Sequence, residues 1–266
     1  MGKASRAKRN RLFGPELSKD LRIEFFQSDR GGTRPIPTAL SKRLNAKSRL
    51  YRFLDTPSYV ADILAGDLWI TTLVACRSAE GDERRDEGEG ELSHQVNFIS
   101  SEQPGGKEAI EQSGLLQLAP GARNVMVRGG GVLVGTMDAF VLCFTELYAP
   151  ERMEGNFGRW CVQFDDPLEG FRVITHELSR RYSLTRALIG HVHYSGRQVS
   201  DYQRTDTHRA LLKPLDGYSH HREIRMIWEV DSQHDPIKPF KLHVPAAIKY
   251  FSLKSGELDS LSNSEA

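Results

Sequence analysis

Seven consecutive uncharged residues, Ala139-Phe140-Val141-Leu142-Cys143-Phe144-Thr145, are apolar at odd and even positions alike. Side chains alternate across a strand, so such a run must be covered on both faces, which makes it the central strand of a layered sheet. A second segment, His221-Arg222-Glu223-Ile224-Arg225-Met226-Ile227-Trp228-Glu229, has a period of two. Ile224, Met226 and Trp228 form one face, and Glu223, Arg225, Ile227 and Glu229 the other. An acid and a base two residues apart on one strand face are either an exposed ion pair, worth less than about 1 kcal/mol, or a carboxylate held in a cleft for chemistry. The segment by itself leaves both open.

Around these two strands the pattern predicts an α+β fold rather than alternating βαβ units. Leu50–Leu54 reads as a short strand, Asp55-Thr56-Pro57 caps a helix from Ser58 to Ala65 that Gly66 stops, and Leu68–Leu73 follows as a strand. A weaker helix near Lys107–Gln117 and a hinge at Gly129-Gly130-Gly131 precede the central strand. Further strands are expected at Gly158–Phe164, Ile189–Tyr194, Lys241–Val244 and Ile248–Leu253. Between Arg77 and Gln95, Glu80, Asp82, Glu83, Asp86, Glu87, Glu89 and Glu91 stand among glycines and arginines, which predicts a mobile acidic loop. Arg30-Gly-Gly-Thr-Arg-Pro-Ile-Pro37 sustains neither helix nor central strand. The expected organisation is a basic flexible arm and linker over 1–46, a single domain over 47–254 and a disordered tail over 255–266.

A chain of 266 residues, 39% hydrophobic and 27% charged, is an ordinary globular composition. Its formal net charge of +1 supplies no global field for polyanions. Lys3, Arg6, Lys8, Arg9 and Arg11 all precede the first acidic residue, Glu16, and form either an arm that touches nucleic-acid phosphates or a solvated tail. Cys76, Cys143 and Cys161, an odd number without CxxC spacing or a secretory leader, point to a reducing, cytoplasmic compartment and to small buried side chains. No apolar run approaches the ~20 residues that span a bilayer, so no membrane partner is expected. GxGxxG, GxxxxGK[ST], GxSxG and HExxH are all absent. His191 and His193 on one strand face, with His220 and His221 beside Glu223, are a candidate metal set whose spacing is not diagnostic.

Leu50-Tyr51-Arg52-Phe53-Leu54, Ile63-Leu64-Ala65-Gly66, Val141–Thr145, Trp160-Cys161-Val162-Gln163-Phe164, and Lys213-Pro214 with Tyr218, Glu223 and Arg225 resemble the bacterial domain-of-unknown-function family 2971 over about Lys47–Leu253. Two features depart from that family: the acidic segment replaces an Asn-Asp-Pro-Phe-like turn, and His221 stands where Glu is common. The order of an early-strand Arg52, a central-strand Thr145 and a late-strand Glu223 is also similar to the ADP-ribosyltransferase superfamily, in which such residues surround NAD. The resemblance implies an ADP-ribosyltransferase-like fold of two packed, mostly antiparallel sheets with flanking helices, and NAD as a substrate.

The same resemblance implies the roles. Glu223 would be the catalytic carboxylate, stabilising the positive charge that builds on the ribose as the bond to nicotinamide breaks. Arg52 would hold the diphosphate or ribose, with Tyr51 beside it, Thr145 would support the nicotinamide ribose, and Lys213 or Arg225 would add a cation. Tyr218 or Phe144 would stack on nicotinamide. His221, two residues before Glu223, would face the acceptor, which leaves protein, nucleic acid or water open. A toxin or antiphage effector with an antitoxin or immunity partner is the implied biology. A non-catalytic nucleotide- or partner-binding module is the alternative, followed by a metal-dependent hydrolase on His191, His193, His221 and Glu223.

Overall fold

The structure, a computed structural model, describes residues 22–26 as backbone and residues 44–45, 47–78, 86–201, 207–231 and 236–255 in full. The basic residues Lys3 to Arg11, the linker Arg30–Pro37 and residues 256–266 lie outside that set. Within it the fold is α+β, with mostly antiparallel sheets and few helices.

Strand β8 (Ala139–Thr145) is central and covered on both faces, as its two-sided apolar pattern requires. Phe140, Leu142 and Phe144 enter the larger core, while Ala139 and Val141 pack on the opposite face with Leu73, Ala210, Leu211 and Ile227. On one side β8 pairs antiparallel with β14 (Glu223–Val230), placing Glu223 opposite Thr145 and Arg225 opposite Cys143. Strand β10 (Leu184–His191) continues the sheet beyond β14, and β1 (Arg22–Phe26) runs parallel to β10 at the edge.

The other side of β8 is shared by two strands. β2 (Arg49–Leu54) meets it at Tyr51↔Thr145, and β3 (Asp67–Thr72) meets it at Thr71↔Val141 and Thr72↔Phe140. Between these contacts no strand of the described residues pairs with this side of β8, so the sheet divides at Leu142–Phe144. β9 (Trp160–Asp165) and β16 (Phe251–Ser255) extend the β2 arm, and β15 (Phe240–His243) extends the β3 arm. These nine strands form one sheet with a split, and the remaining strands form three smaller sheets of two, three and two strands.

Helix α1 (Pro57–Leu64) follows β2 as the Pro57 signal predicts, and Gly66, at φ +87°, turns the chain into β3. A short α2 (Leu73–Arg77) comes next. β4 (Glu91–Gln95) lies between β7 (Gly131–Gly135) and β12 (Gln198–Ser200) in a small sheet; β5 (Phe98–Ser100) and β6 (Met126–Arg128), an antiparallel pair, flank α3 (Gly106–Gln112) in the chain. α4 (Pro150–Phe157) precedes β9.

The longest helix, α5 (Pro167–Ser179), has no counterpart in the expected element order. Its signals are nonetheless ordinary: an Asp166 N-cap, Pro167 at the first position, and Phe171, Ile174 and Leu178 on one face. It covers the apolar face of β14, where Trp228 Nε1 donates to Thr175 Oγ1 at 2.8 Å.

Two expectations are corrected. The acidic segment is not a mobile loop over its second half: β4 is paired on both sides, and Asp86 and Glu89 are buried against arginines. The strand carrying His191 and His193 is broken at Val192. His191 ends β10, and His193 opens β11 (His193–Tyr194), which pairs with β13 (Leu212–Lys213) in a separate sheet.

Candidate functional site

A cavity of about 600 Å³ opens where the sheet divides. Arg52, Thr145 and Glu223 all line it, as do Tyr51, Phe144, Lys213, His221 and Arg225. Tyr218 is not among the lining residues; its ring carries the Lys213 ammonium at 5.0 Å and meets His221 edge-on.

The inner wall is ionic. Glu223, 8% exposed, accepts from Arg225 Nε at 2.6 Å through Oε1 and is paired by Lys213 Nζ at 2.8 Å through Oε2. Arg225, 1% exposed, also donates to both oxygens of Glu89 and to the Ala210 carbonyl at 2.6 Å. A guanidinium has five N–H donors, and with a 3.5 Å contact from Nη2 to Glu223 Oε2 all five are committed. Arg225 therefore orients Glu223 and Glu89, and it would have to give up one of them to fork onto a phosphate. Lys213 spends one of three donors on Glu223. The Glu223–Arg225 pair expected on one strand face is present but buried, which excludes the exposed ion-pair reading.

Glu89, 1% exposed, is the site residue that sequence reasoning missed. It sits one turn beyond Asp86, which is clamped by Arg197. Gly90 takes φ +74° between Glu89 and β4. In the sequence Glu89 is one of seven acidic residues in a polar stretch, and no local signal distinguishes it.

Burial by itself would raise the Glu223 carboxyl, but Arg225 and Lys213 outweigh it and hold the group well below the usual carboxylate range. A carboxyl whose folded pKa is depressed contributes stability above its unfolded value, here 4.5, and that contribution is lost as pH falls below it. Urea midpoints of the intact chain should be level from about pH 7 to 5 and drop below about pH 4.5. The same series in Glu223→Gln should show a smaller acid drop; an unchanged drop would show that Glu223 is not what the acid titrates. Desolvation opposes charge on Lys213, yet Glu223 raises its pKa, so the pair stays ionised. Burial pushes the Cys76 thiol up to about 11, Cys161 up to about 12 and Cys143 well above its ordinary value. These thiols stay protonated, and none is an activated nucleophile.

Two side chains join the strand ends at the site. Thr145 Oγ1 donates to the His221 carbonyl at 2.7 Å and accepts from Leu147 N–H at 2.9 Å, so its hydroxyl ties the end of β8 to the turn before β14. Arg52 Nη1 donates to the Cys143 carbonyl at 3.0 Å, bridging the split where strand pairing is missing. His221, buried, packs edge-on to Phe157 at 4.9 Å between ring centroids.

Arg222, between His221 and Glu223, has φ +44° and ψ +51°, a left-handed conformation that costs a non-glycine residue about 1–2 kcal/mol. Arg222→Gly should stabilise the chain by about 0.5–1 kcal/mol once glycine's larger unfolded-state entropy is subtracted. A urea midpoint that falls instead would show that the Arg222 side chain holds the turn.

Among the described residues no group of three or more His, Cys, Asp or Glu side chains is placed to hold a metal ion. His191, beside Glu146 at 4.0 Å, and His193 belong to different sheets, so the histidine set does not converge. No helix among the described residues is long and apolar enough to cross a membrane. Comparison with protein-family models, with curated proteins and with solved structures finds no match to this chain.

Proposed function

We propose that this chain is an NAD-consuming enzyme of the ADP-ribosyltransferase kind, with Glu223 as the catalytic carboxylate. The observation that carries the reading is convergence: Arg52, Thr145 and Glu223, far apart in sequence, line one cavity at a split in the sheet. The resemblance to family 2971 belongs to the same reading, because Lys213, Glu223 and Arg225 form one ionic cluster.

The chemistry follows from the cluster. Cleavage of the bond between nicotinamide and ribose puts positive charge on the sugar, and a carboxylate already ionised and fixed needs no rearrangement to stabilise it. Each Glu223 oxygen accepts one short hydrogen bond and keeps lone-pair capacity for a ribose hydroxyl. Lys213 retains donors for an anionic or carbonyl group. Arg52 reaches the split from β2, where it would meet a diphosphate. Tyr51, on the same sheet face as Thr145 and Glu223, would stack against nicotinamide, whereas Phe144 is turned to the opposite face and stacked on Phe164. Whether ADP-ribose passes to water, protein or nucleic acid turns on the His221 side, and Lys3, Arg6, Lys8, Arg9 and Arg11 would draw in a nucleic-acid acceptor. A toxin or antiphage role, with an antitoxin or immunity partner, is part of this proposal.

A second reading is favoured by one observation: both oxygens of Glu223 are already engaged by cations, as in a site that binds without turnover. Calorimetric titration with NAD, run beside an assay for free nicotinamide, separates the two. Binding with release supports the enzyme, binding without release supports the module, and no binding at millimolar NAD removes the enzyme while leaving a module for another nucleotide or a protein partner.

A further inference from the structure

The cavity has a second, chemically different end. Tyr59 on α1 and Trp69 on β3 line it and are each 52% exposed, whereas the ionic wall at Glu223 is buried. A half-exposed indole or phenol ring that lines a cavity offers a large flat face on which a ligand ring can stack. Neither ring is packed face-to-face or edge-on against another aromatic ring of the described residues. Beside them Asp62, paired with Lys241 Nζ at 2.8 Å, and Asp67, paired with His243 Nδ1 at 2.6 Å, present carboxylates to the same mouth.

We propose that this mouth is a stacking subsite for a purine ring, with the Trp69 indole as its platform and Asp62 or Asp67 accepting from an exocyclic amine. The proposal rests on the NAD reading for its orientation. Glu223 must lie at the bond that breaks, so the nicotinamide ribose occupies the buried end. Arg52, on the Cys143 carbonyl, stands at the split between the two ends, where the diphosphate would cross. The remaining ring of the dinucleotide is adenine, and the mouth is where it would lie. A tryptophan face suits a base because stacking is indifferent to ring substituents, while the neighbouring carboxylates favour rings that donate.

The test uses AMP, which carries the adenine end alone. Of the three tryptophans, Trp160 and Trp228 are buried, so Trp69 dominates the solvent-accessible emission. AMP should quench that emission saturably in the full chain. By calorimetry, Trp69→Ala should weaken AMP by about tenfold or more, and Trp69→Phe, which keeps a ring, should retain affinity within about threefold. AMP binding that is unchanged in Trp69→Ala overturns the subsite while leaving NAD binding intact. Failure of AMP to bind the full chain at millimolar concentration also overturns it, and NAD titrated into the same sample then reports whether the NAD reading survives.

Discussion

Arg225→Ala is expected to lower stability by about 3–5 kcal/mol, because it leaves Glu89 and Glu223 buried with Lys213 as the cation still paired to the cluster. For a chain of this size that corresponds to a fall in Tm of about 6–20 °C. The cause is electrostatic rather than a cavity, and this gives the prediction a second arm. Adding Glu89→Gln to Arg225→Ala removes one stranded charge, so the double variant should recover part of the loss instead of falling further. Thermal unfolding of the three proteins at pH 7 reads both effects. Additive losses would show that Arg225 acts by packing, not as the hub of the buried quartet.

How much of this was legible beforehand depended on whether the signal was local. The two-sided apolar run of Ala139–Thr145 requires cover on both faces, and β8 has it from Phe171 and its neighbours on one side and Leu211 on the other. The alternation from Glu223 to Trp228 likewise fixes which face carries the ions. The absence of local preference made Glu89 invisible: its burial is decided by Arg225, 136 positions away, and its neighbours are polar. A reader of the strand could have found the need for it, since an arginine between Ile224 and Met226 on a covered strand requires more acceptors than one glutamate provides. Helix α5 is the opposite case: its cap, proline and apolar spacing are all local signals, although no expected element covers Pro167–Ser179. The division of the sheet was not readable, because it arises from two strands meeting different ends of one neighbour.

Glu223→Gln is expected to reduce nicotinamide release by at least about a hundredfold, the effect of removing one fixed electrostatic group from a reacting centre. It removes a buried charge while keeping the shape of the side chain. Some loss of stability accompanies it, because Lys213 loses its partner, and the assay belongs well below the variant's Tm. NAD affinity should change far less than turnover, since Arg52 and the walls of the cavity remain. The most direct test is therefore nicotinamide released from NAD by the intact chain and by folded, NAD-binding Glu223→Gln. Release by the former and a loss of at least about a hundredfold in the latter is the predicted result; no release by the intact chain, or equal release by both, would contradict it.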